Sequence, residues 1–172
     1  ERVLMSPYVY EPACSPHLAG RLAGHYVNLD HCQACGDQLA DAHQGVLIEG
    51  AGGLMVPLNE EETQLGLIIQ FGAPVLLVAH IGLGTISHCL LTIETLREAE
   101  VPIAGVIFNA TAPGEGEDFI GRDNPDAVAQ FGAVEVLGNV PWLGDLSGDA
   151  VWERFDSSVP GLAKICSYFS PE

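Results

Sequence analysis

Four short apolar runs punctuate this chain, and the stretches between them carry helical patterns. The runs are Val46-Leu47-Ile48, Pro74-Val75-Leu76-Leu77-Val78-Ala79, Ile103-Ala104-Gly105-Val106-Ile107-Phe108 and Val134-Glu135-Val136-Leu137-Gly138-Asn139-Val140. Most are continuous rather than alternating, which is what a strand needs when both faces of its sheet are covered. Between the second and third runs, Ile86, Cys89, Leu90, Ile93 and Leu96 recur at the spacing of one buried helix face, and Pro102 stops the pattern. Strands that alternate with helices form βαβ units. The expected fold is therefore α/β, with a mostly parallel sheet and flanking helices. Strands are expected at 45–49, 74–79, 103–108 and 134–140. Helices are expected from Ser15-Pro16 through about Gly24, where proline takes the first helical position, and at 30–42, 61–71, 85–100, 124–131 and about 158–168. Residues 1–13 read as irregular, and 111–123 as a glycine- and acid-rich surface loop.

Length and composition narrow the classes. A chain of 172 residues with 48% apolar content suits one globular domain, 1–172, and not a disordered chain. No run approaches the ~20 apolar residues of a membrane helix. The start, Glu1-Arg2-Val3-Leu4-Met5, reads neither as a signal nor as a transit peptide. Acidic residues number 23 against 6 basic, for a net charge of −17. That argues against a nucleic-acid partner and against an anionic membrane surface. Five cysteines, an odd count in a chain that is no small disulfide scaffold, favour a cytoplasmic location. Cys32-Gln33-Ala34-Cys35 is a C-x-x-C with His31 beside it, but a zinc site needs a further ligand pair and a redox motif needs a preceding strand. These cysteines read as structural or incidental. Lys164 is the only lysine, so no G-x-x-x-x-G-K-[ST] phosphate loop is present.

The chemistry-bearing residues fall where the runs end. Glu49 follows the first run and leads into Gly50-Ala51-Gly52-Gly53, a stretch that lets backbone approach a ligand. At the carboxyl edge of an α/β sheet, a carboxylate there suits magnesium and a phosphorylated nucleotide. The second run leads through Gly82-Leu83-Gly84-Thr85-Ile86-Ser87-His88 into a helix, whose start can hold an anion; Thr85 is a candidate cap and His88 a partly buried helix residue. Asn109 ends the third run with an amide that can meet a nucleobase edge. Pro141-Trp142-Leu143 follows the fourth as an apolar wall or a rigid turn.

The chain resembles the dethiobiotin synthetase family, ATP-dependent enzymes of biotin biosynthesis in the P-loop class. The likeness rests on Tyr10-Glu11-Pro12 with Ser15-Pro16-His17, Glu49-Gly50-Ala51-Gly52-Gly53-Leu54 with Pro57-Leu58, and Pro74 to Val78. It continues through Leu83 to His88 with Leu91-Thr92, Gly105-Val106 with Asn109, and Gly138 with Val140-Pro141-Trp142-Leu143. Amidoligases of cobalamin synthesis share a Glu-Gly-Ala-Gly element but not the Leu83–His88 and Pro141–Leu143 pieces.

The resemblance implies carboxylation of diaminopelargonic acid by CO2, activation of the carbamate by ATP, and ring closure. It implies Glu49 as a magnesium ligand and Gly52 and Gly53 near the reacting substrate. Gly84, Thr85, Ile86 and Ser87 would bind the substrate's distal carboxylate across a homodimer interface, and Asn109, Pro141 and Leu143 would contact adenine. Where this chain has Ser87 the family more often has Asn. The family also opens with a strand, a P-loop and a catalytic lysine that have no counterpart here. The fold implied is P-loop NTPase-like without that strand, and 1–172 corresponds to the C-terminal two-thirds of a synthetase. Loss of a central strand should expose apolar edges. The chain alone is expected to be inactive and to need a P-loop supplied upstream or by a separate chain. The rival expectation is a non-catalytic binding or scaffold protein that kept the substrate cradle.

Overall fold

The computed structural model describes residues 2–169. Residue 1 of the expected irregular segment, and both ends of the expected 1–172 domain, lie outside the described residues. Contacts cluster the described residues into two units, 2–73 with 169 and 74–168.

The second unit holds the sheet. Strands β1 (Val75–His80), β2 (Ile103–Asn109) and β3 (Val136–Val140) are all parallel, in the order β1-β2-β3. Helices α5 (Thr85–Glu98) and α6 (Phe119–Gly132) cover one face; α7 (Asp149–Ser158) and α8 (Leu162–Ser167) belong to the other. The alternation in β2 shows why both faces need cover. Val106 and Phe108 point into a core with Ala79, Cys89, Ile93 and Val128. Ile107 points the other way, into a core with Leu137, Val140 and Val159, edged by Phe155, Leu162 and Ile165. The two-sided apolar run of β2 is thus the signature of a strand buried on both faces. Among the described residues β1 pairs with β2 on one side only, and its Val78 is 62% exposed.

The first unit is helical: α1 (Arg2–Met5), α2 (Pro16–Ala23), α3 (Leu29–Ala42) and α4 (Gln64–Phe71). Pro16 opens α2, and Gly24, at φ 73°, closes it in the left-handed conformation. The Asn28 side chain caps α3 by accepting from His31 N–H at 2.8 Å. A small core of Val27, Leu29, Leu58 and Leu67 joins α3 and α4.

The expected strand 45–49 is not formed. Residues 45–50 carry no regular secondary structure, and among the described residues no strand pairs with them. An apolar run becomes a strand only when a neighbour takes its N–H and C=O groups. Lacking one, Leu47 stands 80% exposed. Other boundaries moved for local reasons. α4 starts at Gln64 and not at 61, because Asn59 Oδ1 accepts from the Glu61 and Glu62 amides at 2.9 and 2.8 Å and holds that stretch as a turn. α6 begins at Phe119, not 124. Asp118 caps it, accepting from Gly121 N–H at 2.8 Å, and Pro125 sits inside the helix. The expected C-terminal helix at about 158–168 is α8, Leu162–Ser167, and a further helix that was not expected, α7, precedes it at Asp149–Ser158.

Candidate functional site

In the second unit, three of the candidate segments lie side by side at the carboxyl edge of the sheet. His80, the last residue of β1, is in register with Asn109, the last of β2, and Asn109 with Val140, the last of β3. Ligands of open α/β sheets bind at this edge because the loops there diverge and helix starts face it. The sequence brought Gly84–Ser87, Asn109 and Pro141–Leu143 to one edge as expected.

The turn from β1 into α5 is held from below. Buried Asn124, on α6, donates through Nδ2 to the carbonyls of Ile81 and Gly82 at 2.8 and 3.2 Å. Gly84 is the N-cap at φ 93°, a left-handed conformation that suits glycine. Thr85, expected as the cap, is instead the first helical residue. It is buried, and its hydroxyl lies 3.6 Å from Cys89 Sγ. No side chain caps α5, so its first-turn N–H groups, those of Ile86 and Ser87 among them, are directed out of the helix end. A cavity of about 640 Å³ lies beside them, lined by Leu83, Ile86, Ser87 and Leu90. His88, read from sequence as partly buried, is exposed.

Past β2, the loop is organised by Glu115. Its Oε1 lies 2.7 Å from His80 Nε2. Its Oε2 accepts from Thr111 N–H at 2.6 Å, Thr111 Oγ1–H at 3.0 Å and Ala112 N–H at 3.0 Å. His80 Nδ1 accepts from Gly82 N–H at 3.1 Å, so Nε2 is the nitrogen that donates to Glu115. These donors, His80 foremost and then Thr111, hold the Glu115 carboxyl down at about 2, against an ordinary 4.5. The folded state therefore binds this proton more weakly than the unfolded one. The stabilisation is fully present above about pH 4.5 and is lost as pH falls towards about 2. Melting curves of the protein and of Glu115→Gln are expected to differ at about pH 5 and to converge near pH 2. A gap that persists unchanged at the acid end would contradict the assignment.

Past β3, Arg154 on α7 donates to the carbonyls of Trp142 and Leu143 at 3.0 and 3.2 Å. Leu143 packs on the second core while Pro141 is exposed, so the segment presents an apolar edge on a fixed backbone. Asn124, Glu115 and Arg154 were missed by sequence reasoning. Asn124 had a usable signal, a polar residue on the apolar stripe that includes Val128. Arg154 lies on a helix left unassigned, and nothing local marks Glu115 among its acidic neighbours.

The first unit carries Glu49, Gly52 and Gly53. Turn residues 51–58 are clamped to the start of α4: Gln64 N–H donates to Val56 O at 2.9 Å and Leu65 N–H to Leu54 O at 2.8 Å. Buried Gln64 reaches back under the glycine stretch, its Oε1 accepting from Ala51 N–H at 3.3 Å. Gly52 has φ 86°, and Gly53 has open space where a side chain would be. Glu49 lines a cavity of about 830 Å³ with Gly50, Ala51, Gln64, Leu58 and Leu67. It is exposed, and among the described residues its carboxylate has no hydrogen-bond or ion-pair partner. An unengaged carboxylate fits magnesium, which takes one or two carboxylates and fills its shell with water and phosphate oxygens. Among the described residues no three His, Cys, Asp or Glu side chains group around a metal position. Cys32 and Cys35 both lie on α3. Burial, then Cys35, pushes the Cys32 thiol up, which disfavours the reactive thiolate.

A family model described as an AAA domain matches residues 1–150. The ATP-dependent dethiobiotin synthetase BioD of Rhodopseudomonas palustris is 35% identical over 158 residues, which cover 92% of this chain and 69% of that protein. The chain belongs to the dethiobiotin synthetase family. The ATP-dependent dethiobiotin synthetases of Anaeromyxobacter sp. strain K and Chromohalobacter salexigens are 38% and 39% identical, over 82% and 85% of this chain. It spans a little under two thirds of those two relatives, 62% and 64%. Family membership accords with the observed architecture, a parallel α/β sheet of the P-loop NTPase-like kind flanked by helices. Among the described residues, no helix is long and apolar enough to cross a membrane.

Proposed function

We propose that this chain supplies the magnesium, substrate-carboxylate and adenine contacts of a dethiobiotin synthetase. The reaction is the ATP-dependent carboxylation of diaminopelargonic acid by CO2 and closure of the ureido ring, with release of ADP and phosphate. The observation that carries the reading is the register of His80, Asn109 and Val140, which lines up three of the family's strand-end segments on one sheet edge. In this reading the N–H groups at the start of α5 hold the substrate's distal carboxylate across a homodimer interface. Asn109, Pro141 and Leu143 meet adenine, and Gly52 and Gly53 leave room beside the reacting amines. Glu49 holds magnesium, whose charge offsets that of the nucleotide phosphates.

Residues 1–172 are then the part of a synthetase that follows its P-loop segment. With Lys164 as the only lysine, the chain has no P-loop to cradle the transferring phosphate. That segment is supplied upstream or by a separate chain. The test is to assay dethiobiotin formation from diaminopelargonic acid, CO2 and ATP with the chain alone and with a P-loop-bearing segment joined or added. Product is expected only in the second case. Turnover by the chain alone would sink the P-loop requirement. A folded, completed protein that binds the diamine yet forms no product would favour a binding module over an enzyme.

A further inference from the structure

Glu115 is not among the residues read as touching a ligand, yet it controls the backbone that carries one of them. Asn109 closes β2, and the amides of the three residues that follow are all held. Ala110 N–H donates to Val140 O at 2.9 Å. Thr111 and Ala112 N–H both donate to Glu115 Oε2, with the Thr111 hydroxyl as a third donor. Two successive amides converging on one oxygen form a backbone nest, and here the chain's own carboxylate fills it. The other oxygen ties the same loop to His80, the residue in register with Asn109 on β1. Within this turn Glu115 N–H also donates to Ala112 O, at a longer 3.3 Å.

We infer that Glu115 is a positioning residue for the nucleoside end of the site: it fixes the exit from β2 and so the place at which Asn109 presents its carboxamide. This rests on the reading of Asn109 as a base contact. A recognition side chain works only if its supporting backbone is locked, and a strand end followed by a free loop would not lock it. Two substitutions separate positioning from general stability. In Glu115→Ala the nest loses its acceptor altogether. In Glu115→Gln an amide oxygen still accepts from Thr111 and Ala112, while the amide NH2 opposes the N–H of His80.

The probe is adenosine, which needs no phosphate cradle. It is titrated into the full chain while the Asn109 side-chain amide and the Leu143 signals are followed by NMR, with melting temperatures measured in parallel. Saturable shifts are expected at both positions. Glu115→Ala should weaken adenosine binding roughly fivefold or more, the scale of one lost hydrogen-bonded support. Glu115→Gln should stay within about twofold of the parent protein although it melts lower, because it loses only the His80 link. If affinity falls in step with melting temperature across both variants, or if Glu115→Ala binds as well as the parent, the positioning role is overturned. If the parent gives no response at Asn109, the base-contact reading fails, and the inference fails with it.

Discussion

Replacing Glu49 by glutamine is expected to lower dethiobiotin formation by on the order of a thousandfold in the protein completed with its P-loop segment. Metal charge contributes several kcal/mol to such a reaction, and each ~1.4 kcal/mol is a factor of ten in rate. Glutamine keeps the shape of the side chain and removes the charge that holds a hard cation. The loss should be partly recovered at high magnesium, which separates weak metal binding from a damaged site. Because Glu49 is exposed and has no partner among the described residues, the variant should melt with the parent protein. Full activity at low magnesium would remove Glu49 from the metal site.

Gly138→Ala is expected to cost about 3 kcal/mol of stability, the upper end for forcing extra volume into a packed core. A methyl group there would lie 2.4 Å from the Ser158 carbonyl oxygen and 2.5 Å from Val159 Cα. Both are backbone atoms, so no rotamer change relieves the clash. The chain between α7 and α8 must move off β3, to which it is bound by Gly161 N–H donating to Leu137 O at 2.8 Å. For a chain of this size the melting temperature should fall by roughly 6–12 °C. Gly53→Ala is the control: nothing lies within 4 Å of its added carbon and its φ is not left-handed, so its melting should hardly change. A Gly138→Ala protein that melts like the parent would show that this close approach is not present in solution.

Gly138 also shows how differently its residue type and its role could be read. In the sequence it stands as a glycine inside an apolar run and as one of the residues of the family likeness. Its reason is the backbone of residues 158–159, which no local pattern in 134–140 announces. Arg154 is a similar case. Its two carbonyl partners are 11 and 12 residues away, reached only because α7 folds back beside β3. The strands of the second unit and its helices other than α7 were legible because their signals are local: apolar runs, one-sided helical spacing, glycine and proline at the ends. Asn109 was legible for the same reason, standing where an apolar run stops.

The run 45–49 marks the opposite limit. Its composition is that of a buried strand, and among the described residues no strand pairs with it, because composition supplies no hydrogen-bond partner. The sequence by itself determined the α/β class and the family, and it marked the candidate segments. The tertiary structure alone decided which of those segments stand together, since His80, Asn109 and Val140 meet through sheet register. It also decided what braces them. Asn124, Glu115 and Arg154 each reach a backbone group that only the packing of helices and loops against the sheet brings within range. Local propensity acts over a few residues, whereas register and long-range hydrogen bonds depend on which neighbour is present to receive them.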